Sequence, residues 1–242
     1  MVSKSQIKLI TSLQQKKYRD KTGLFVAEGP KLVLELRQAG LEVHSIFSTQ
    51  ISSEEQTNFY HITEVDLKKI SFLKSPNSIL GIFRIPSEIR IPNNQLIVAL
   101  DAVRDPGNLG TIIRLCDWFG ITDLICSKDT TDCYNPKVVQ ATMGSIARVQ
   151  VQYLDLSEFI KKAKLPIYGG VMNGTSVYSE QLPNKAILVL GNEANGISEE
   201  IMKHITNPVT IPQFGDAKDT ESLNVATATA ILLSEFRRST ER

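Results

Sequence analysis

The chain has 242 residues, 42% of them hydrophobic and 22% charged, with a net charge of +1. That composition suits an ordinary soluble globular protein of one or two domains, and it carries no global basic bias of the kind that advertises nucleic acid, although a local basic patch suffices for RNA. Three cysteines (Cys116, Cys126, Cys133) without a C-x-x-C pair speak against a disulfide framework or a zinc site, and neither a signal-like apolar start nor an apolar run near 18 residues is present, so the expectation is a cytoplasmic protein with no metal and no membrane contact.

In chain order, Ser5–Lys17 reads as a helix with Ile7, Ile10 and Leu13 on one face. Lys16-Lys17-Tyr18-Arg19 is a small basic cluster with an aromatic inside it; taken alone, it reads as a solvated helix end. Phe25–Ala27 is a short strand, Glu28-Gly29-Pro30 a turn, and Pro30–Ala39 a helix with proline near its first position and Gly40 after it. Val43–Phe47 is a strand, Val65–Ile70 a helix, and Ile79–Ile85 an apolar run. Alternation of helix and strand over some 85 residues predicts a small α/β module. The proline-bounded polar stretch from Pro86 to Gln95 is a linker. It sets an N-terminal domain over 1–88, a linker over 89–95 and a C-terminal domain over 96–242.

The C-terminal domain opens with strand Leu96–Leu100, a loop through Asn108 and Gly110, and a helix Thr111–Phe119. Strands at Asp123–Cys126, Val149–Gln152 and Ile167–Gly170 alternate with helices starting at Asn135-Pro136 and Ser157. Strand Ala186–Leu190 runs into the turn Gly191–Gly196, and a helix start follows at Ser198. Strand Val209–Ile211 stops at Pro212 before Gly215, and a long helix covers Ser222–Phe236. The pattern predicts an α/β fold whose mainly parallel sheet carries helices on both faces, with ligands at the carboxyl ends of the strands.

Gly191-x-x-x-x-Gly196-Ile-Ser198 has the glycine spacing of a phosphate-binding loop, but Ile197 stands where that loop needs lysine, and Glu193 adds negative charge. No G-x-G-x-x-G follows a strand. His44, His61 and His204 lie apart from every turn of interest. What remains is a pocket of backbone and small polar groups (Gly191, Asn192, Glu193, Gly196, Gly215, Ser222, Asn224), suited to a neutral heterocycle and ribose better than to a polyphosphate. Asn108 and Arg114 are candidates to sit beside it. A lone helical arginine is usually a surface residue, and Ser222 has a second reading as a helix cap.

Asn108-Leu-Gly110-Thr-Ile-Ile-Arg114, then Leu190-Gly191-Asn192-Glu193-Ala-Asn-Gly196-Ile-Ser198, then Ile211-Pro212 with Ser222-Leu223-Asn224-Val225-Ala226, resemble the three motifs of the SpoU/TrmH-type RNA ribose methyltransferases of the SPOUT superfamily. The three blocks stand in that family's order across residues 96–242. Lys17-Tyr18-Arg19 and Phe25–Gly29 are similar, more weakly, to its N-terminal substrate-binding module. The resemblance implies S-adenosylmethionine as methyl donor, an RNA ribose 2′-hydroxyl as acceptor, a homodimer with the site at the subunit interface, and an α/β knot in the last third of the chain. It assigns Leu190, Gly191, Asn192, Gly196, Ile211, Pro212, Gly215 and Leu223 to the cofactor and Arg114, Asn108, Glu193, Ser222 and Asn224 to catalysis. Arginine stays protonated in proteins, so Arg114 is expected to act as a cation on the developing alkoxide or an adjacent phosphate. Lys16, Lys17 and Arg19 are the expected phosphate contacts. Ribosomal RNA is favoured over transfer RNA; a non-catalytic RNA- or ribosome-binding assembly factor with the same fold is the alternative.

Overall fold

The computed structural model describes residues 2–51, 58–87, 95–214 and 222–238. The chain divides into two compact units, one made of Met1–Glu88 with Asp132–Arg148, the other of Ile89–Thr131 with Val149–Arg242. The division therefore does not follow the chain: a 17-residue segment from the middle of the C-terminal half counts with the first unit. Most of the expected linker, residues 88–94, lies outside the described residues.

In the first unit, α1 (Lys4–Ser12) opens on a capping box, with Ser3 and Gln6 exchanging side-chain and backbone bonds. The single helix expected over Ser5–Lys17 is in fact two, because α1 ends at Ser12 and α2 (Lys16–Thr22) starts after an extended Gln15. Gly23 in the left-handed region closes α2, where a side chain would be strained. Strands β1 (Leu24–Glu28), β2 (Val43–Ser48), β3 (Phe59–His61) and β4 (Ile79–Arg84) form a sheet of order β1-β4-β2-β3. Its β1–β4 and β2–β4 pairs are antiparallel and its β2–β3 pair is parallel. The three-residue β3 had no sequence signal. Helix α3 (Pro30–Gln38) follows β1 and α4 (Glu64–Ile70) follows β3, capped by the Thr63 hydroxyl.

The second unit is built on β5 (Leu96–Leu100), β6 (Asp123–Ser127), β7 (Gln150–Leu154), β8 (Ile167–Ser176), β9 (Ala186–Leu190) and β10 (Asn207–Thr210). They form one all-parallel sheet of order β10-β8-β9-β5-β6-β7. Helices α5 (Pro106–Trp118), α7 (Leu156–Lys162) and α8 (Glu199–Met202) lie in the connections between these strands and α9 (Val225–Arg238) follows the last of them, while α6 (Pro136–Thr142) belongs to the first unit. The central strands β5 and β9 are buried at every position, as unbroken apolar runs predict for a sheet covered on both faces. Alternate residues (Ile97, Ala99, Ile187, Val189) pack with Leu156 and Ile160 of α7 and Ile201 of α8. On the other face, Phe236 of α9 meets Tyr168 of β8 edge-on, ring centroids 5.2 Å apart.

In the second unit three helix starts differ from the sequence reading. Helix α5 begins at Pro106, not Thr111, because Asp105 caps it by accepting the Asn108 N–H at 2.8 Å. Helix α7 is capped by Asp155, not by Ser157, whose buried hydroxyl has no hydrogen-bond partner among the described residues. Helix α9 begins at Val225 rather than Ser222: Asn224 Oδ1 accepts the N–H groups of Ala226 and Thr227 at 2.9 and 3.2 Å, two of the four donors a helix start leaves unsatisfied. Among the described residues no helix is long and apolar enough to cross a membrane, and no group of three or more His, Cys, Asp or Glu is placed to hold a metal. The three cysteines are buried thiols outside any disulfide.

Candidate active site

From β5 the chain proceeds to β6 and β7 on one side, and from β9 to β10 on the other. Adjacent strands whose connections leave in opposite directions open a crevice at their carboxyl ends. The two strands end level, Leu100 opposite Leu190, and Asp101 donates its N–H to the Leu190 carbonyl at 2.9 Å. The loops after β5 and β9 therefore start side by side.

The loop after β9 is a closed ring. Asn192 and Gly196 exchange both backbone hydrogen bonds, at 2.9 and 2.8 Å. Asn192 Oδ1 accepts the N–H groups of Ala194 and Asn195, and its Nδ2 donates to the Ala102 carbonyl at 2.7 Å. Ala102 presents that carbonyl from a left-handed backbone, φ 57°. Glycine is obligatory at 191: a Cβ there would sit 2.1 Å from the Gly196 carbonyl carbon. Ile197, at the missing-lysine position, is buried with the core cluster under the loop. The Ser198 N–H goes to the Asp101 carboxylate at 2.7 Å.

A line of side chains connects the three motif blocks. Asn108 Nδ2 donates to Glu193 Oε1 at 2.8 Å, and Asn224 Nδ2 donates to Asn108 Oδ1 at 2.9 Å. Both ends fix the direction of this line: the Glu193 carboxylate only accepts, and the N–H groups at the start of α9 only donate. Each asparagine amide between them thus has a single orientation that satisfies both neighbours.

Other expected residues fall around this line. Leu190 is buried at the end of β9; Ile211 and Pro212 are half-buried after β10; Leu223 is 47% exposed just before α9, next to exposed Ser222. Gly215 lies outside the described residues. Arg114 is exposed on α5, six residues past Asn108, and so about 9 Å along the helix and roughly 120° around it. It shares a face with Gly107, Thr111 and Trp118, and Trp118 is 84% exposed. Lys16 and Lys17 are exposed on α2, with the Lys17 ammonium 4.9 Å from the centre of the Tyr18 ring. Arg19 departs from the reading as a phosphate contact. It is 2% exposed, paired with Asp132, and donates to the carbonyls of Leu13 and Gln14 at 2.7 and 2.9 Å. An arginine so satisfied is part of the first unit's interior. Asp101, Ala102 and Asp105 hold the site's loops and were not anticipated; Asp105 had a signal in its Asp-Pro pair, an N-cap followed by an N1 proline.

The residues fit S-adenosylmethionine. Among the described residues no atom lies within 4 Å of where a Cβ of residue 196 would stand, and Ile211, Pro212 and Leu223 offer partly exposed apolar surface. With no lysine in the loop, a heterocycle and ribose match it better than a polyphosphate.

Residues 95–234 match the model of the SpoU rRNA Methylase family, and residues 4–81 match that of the MRM3-like substrate binding domain. The chain is 30% identical to the 23S rRNA (guanosine(2553)-2′-O)-methyltransferase RlmP of Bacillus subtilis, over 93% of each chain. A putative RNA methyltransferase of the TrmH family from Porphyromonas gingivalis superposes with a TM-score of 0.88 at 40% identity, covering 98% of this chain and 99% of the other. An AdoMet-bound rRNA methyltransferase from Sinorhizobium meliloti superposes with a TM-score of 0.86 at 31% identity, covering 98% and 97%. With three motif blocks joined at the sheet's switch point and the family model spanning more than half its length, the chain belongs to the SpoU rRNA methylase family.

Proposed function

We propose that this protein transfers the methyl group of S-adenosylmethionine to a ribose 2′-hydroxyl of RNA, with ribosomal RNA as substrate. The observation that carries the reading is the Glu193–Asn108–Asn224 line, which ties all three motif blocks into one arrangement at the strand ends. The loop Leu190–Gly196, with Ile211, Pro212, Gly215 and Leu223, holds the cofactor. The cofactor supplies an electrophilic methyl on a sulfonium. Glu193 and Asn224 keep the Asn108 amide aligned, and Asn108 orients the acceptor; Ser222 contributes a hydroxyl at the entrance to α9. Arg114 stabilises negative charge as the hydroxyl loses its proton.

Arg114 stands on a different face of α5 from Asn108, beside exposed Trp118. This supports a homodimer in which the site is completed across the subunit interface. Lys16 and Lys17 contact RNA phosphates, and the protein works in the cytoplasm.

The test is transfer of labelled methyl to unmodified ribosomal RNA, followed by digestion to nucleosides. Label on a 2′-O-methyl nucleoside is expected, and Arg114→Ala should lose transfer while cofactor affinity by calorimetry stays near wild type. Absence of both transfer and cofactor binding would overturn the enzyme reading in favour of a binding factor.

A further inference from the structure

Where β2 begins and β4 ends, the first unit has a cavity of about 320 Å³ that is half open to solvent. Gln6 of α1, His44 and Phe47 of β2, Asn58, Tyr60 of β3 and Arg84 of β4 contribute to its walls. None of them has a part in methyl transfer as described above.

The cavity has an aromatic platform. Tyr60 is stacked on Phe47, ring centroids 5.1 Å apart and planes 17° apart. Phe47 is 1% exposed and so fixed, whereas Tyr60 keeps 40% of its surface open. A ring backed on one side by a buried ring is a rigid stacking surface. The groups around it hydrogen-bond without bringing net charge. Gln6 and Asn58 carry amides, and Ser45 Oγ lies 3.1 Å from His44 Nδ1, which holds the imidazole in place. Burial, and then the Arg84 charge, lowers the His44 pKa, so the ring is neutral near pH 7. Charge stands in one place: Arg84 donates to Glu42 at 2.6 Å, with side chains 51% and 69% exposed. An ion pair so open to water contributes little to stability, and its guanidinium can be drawn to an incoming phosphate.

A flat aromatic surface, neutral donors and acceptors and a cation near the opening match a nucleotide. The volume lies at the low end for ligand sites, enough for one base and too small for several. Single-stranded RNA is read in this way, by splayed bases that stack on aromatic side chains and bond along their edges. We propose that this cavity receives one unstacked nucleobase of the RNA substrate, stacked on Tyr60, with Arg84 on the neighbouring phosphate. The proposal rests on the RNA methyltransferase reading and adds that the first unit grips an unpaired nucleotide rather than duplex alone.

The full chain, saturated with S-adenosylmethionine, is titrated into an unstructured decanucleotide RNA carrying one 2-aminopurine, whose fluorescence falls when the base is stacked on an aromatic ring. Methyl transfer to unmodified ribosomal RNA is measured in parallel. Wild type should quench the probe. Tyr60→Ala should weaken binding by roughly tenfold and abolish quenching, while Tyr60→Phe restores both. Tyr60→Leu, which keeps an apolar cover over Phe47, should behave as Tyr60→Ala and guards against misfolding. If the Ala and Leu variants bind and quench as wild type does, while wild type transfers methyl, the base lies elsewhere and only the cavity proposal fails. If wild type neither binds RNA nor transfers methyl, the RNA reading itself fails.

Discussion

Asn224 has two separable roles, and substitution can pull them apart. Its Oδ1 caps α9 through Ala226 and Thr227, and its Nδ2 donates to Asn108. Asn224→Ala removes both. Losing an N-cap costs about 1 kcal/mol, and an exposed neutral hydrogen bond adds roughly 0.5 kcal/mol. The sum of about 1.5 kcal/mol corresponds to a fall of roughly 3–6 °C in Tm for a chain of this size. Asn224→Asp acts differently. A carboxylate still accepts the two helix N–H groups and complements the positive end of α9. It cannot donate to Asn108 Oδ1, however, and sets two acceptors against each other. Rotating the Asn108 amide would only move the conflict to Glu193. The Asp variant should therefore melt within about 2 °C of wild type, since the cap is intact, yet bind S-adenosylmethionine roughly tenfold more weakly as the motif loops lose their alignment. Thermal unfolding and calorimetry on the two variants decide the matter. An Asp variant that binds the cofactor like wild type, or is as unstable as the Ala variant, would refute the reasoning.

Gly191→Ala should abolish measurable cofactor binding, because its Cβ would meet backbone atoms of Gly196 and Ile197 within 2.3 Å; calorimetry showing normal affinity would contradict the obligatory glycine. Arg19→Ala leaves Asp132 and two carbonyls without their donor in the interior and should destabilise the first unit by about 3–5 kcal/mol in denaturant unfolding, whereas Arg19→Met with Asp132→Leu should recover much of that loss. Glu28 is 4% exposed, and burial raises its carboxyl above the usual 4.5 despite bonds from Ser71 and the Phe72 N–H. The folded state then holds this proton more tightly than the unfolded chain, so its contribution is most favourable below pH 4.5 and is lost as pH rises through the raised value. Glu28→Gln should flatten the stability–pH curve in that window, and an unchanged slope would exclude Glu28 as its source.

Local features of the sequence determined much of this protein. Apolar runs such as Leu96–Leu100 and Ala186–Leu190 are strands because nothing but burial on both faces suits them, and the motif blocks around Asn108, Gly191 and Asn224 were recognisable from residue type and spacing. Ile197, standing where a phosphate-binding loop needs lysine, argued against a polyphosphate ligand. What the sequence did not disclose depends on partners distant in the chain. Ser157 and Ser222 read as caps by identity, but Asp155 and Asn224 hold the helix N–H groups, because a cap is fixed by where the backbone turns. Arg19 read as a surface cation since its partner, Asp132, is 113 residues away. The Glu193–Asn108–Asn224 line spans separations of 85 and 116 residues, and only the strand order that sets β5 beside β9 brings its members within hydrogen-bonding distance. Hydrophobic periodicity is a property of neighbours along the chain; hydrogen-bond partnership across a parallel sheet is a property of its topology, and tertiary structure alone decides it.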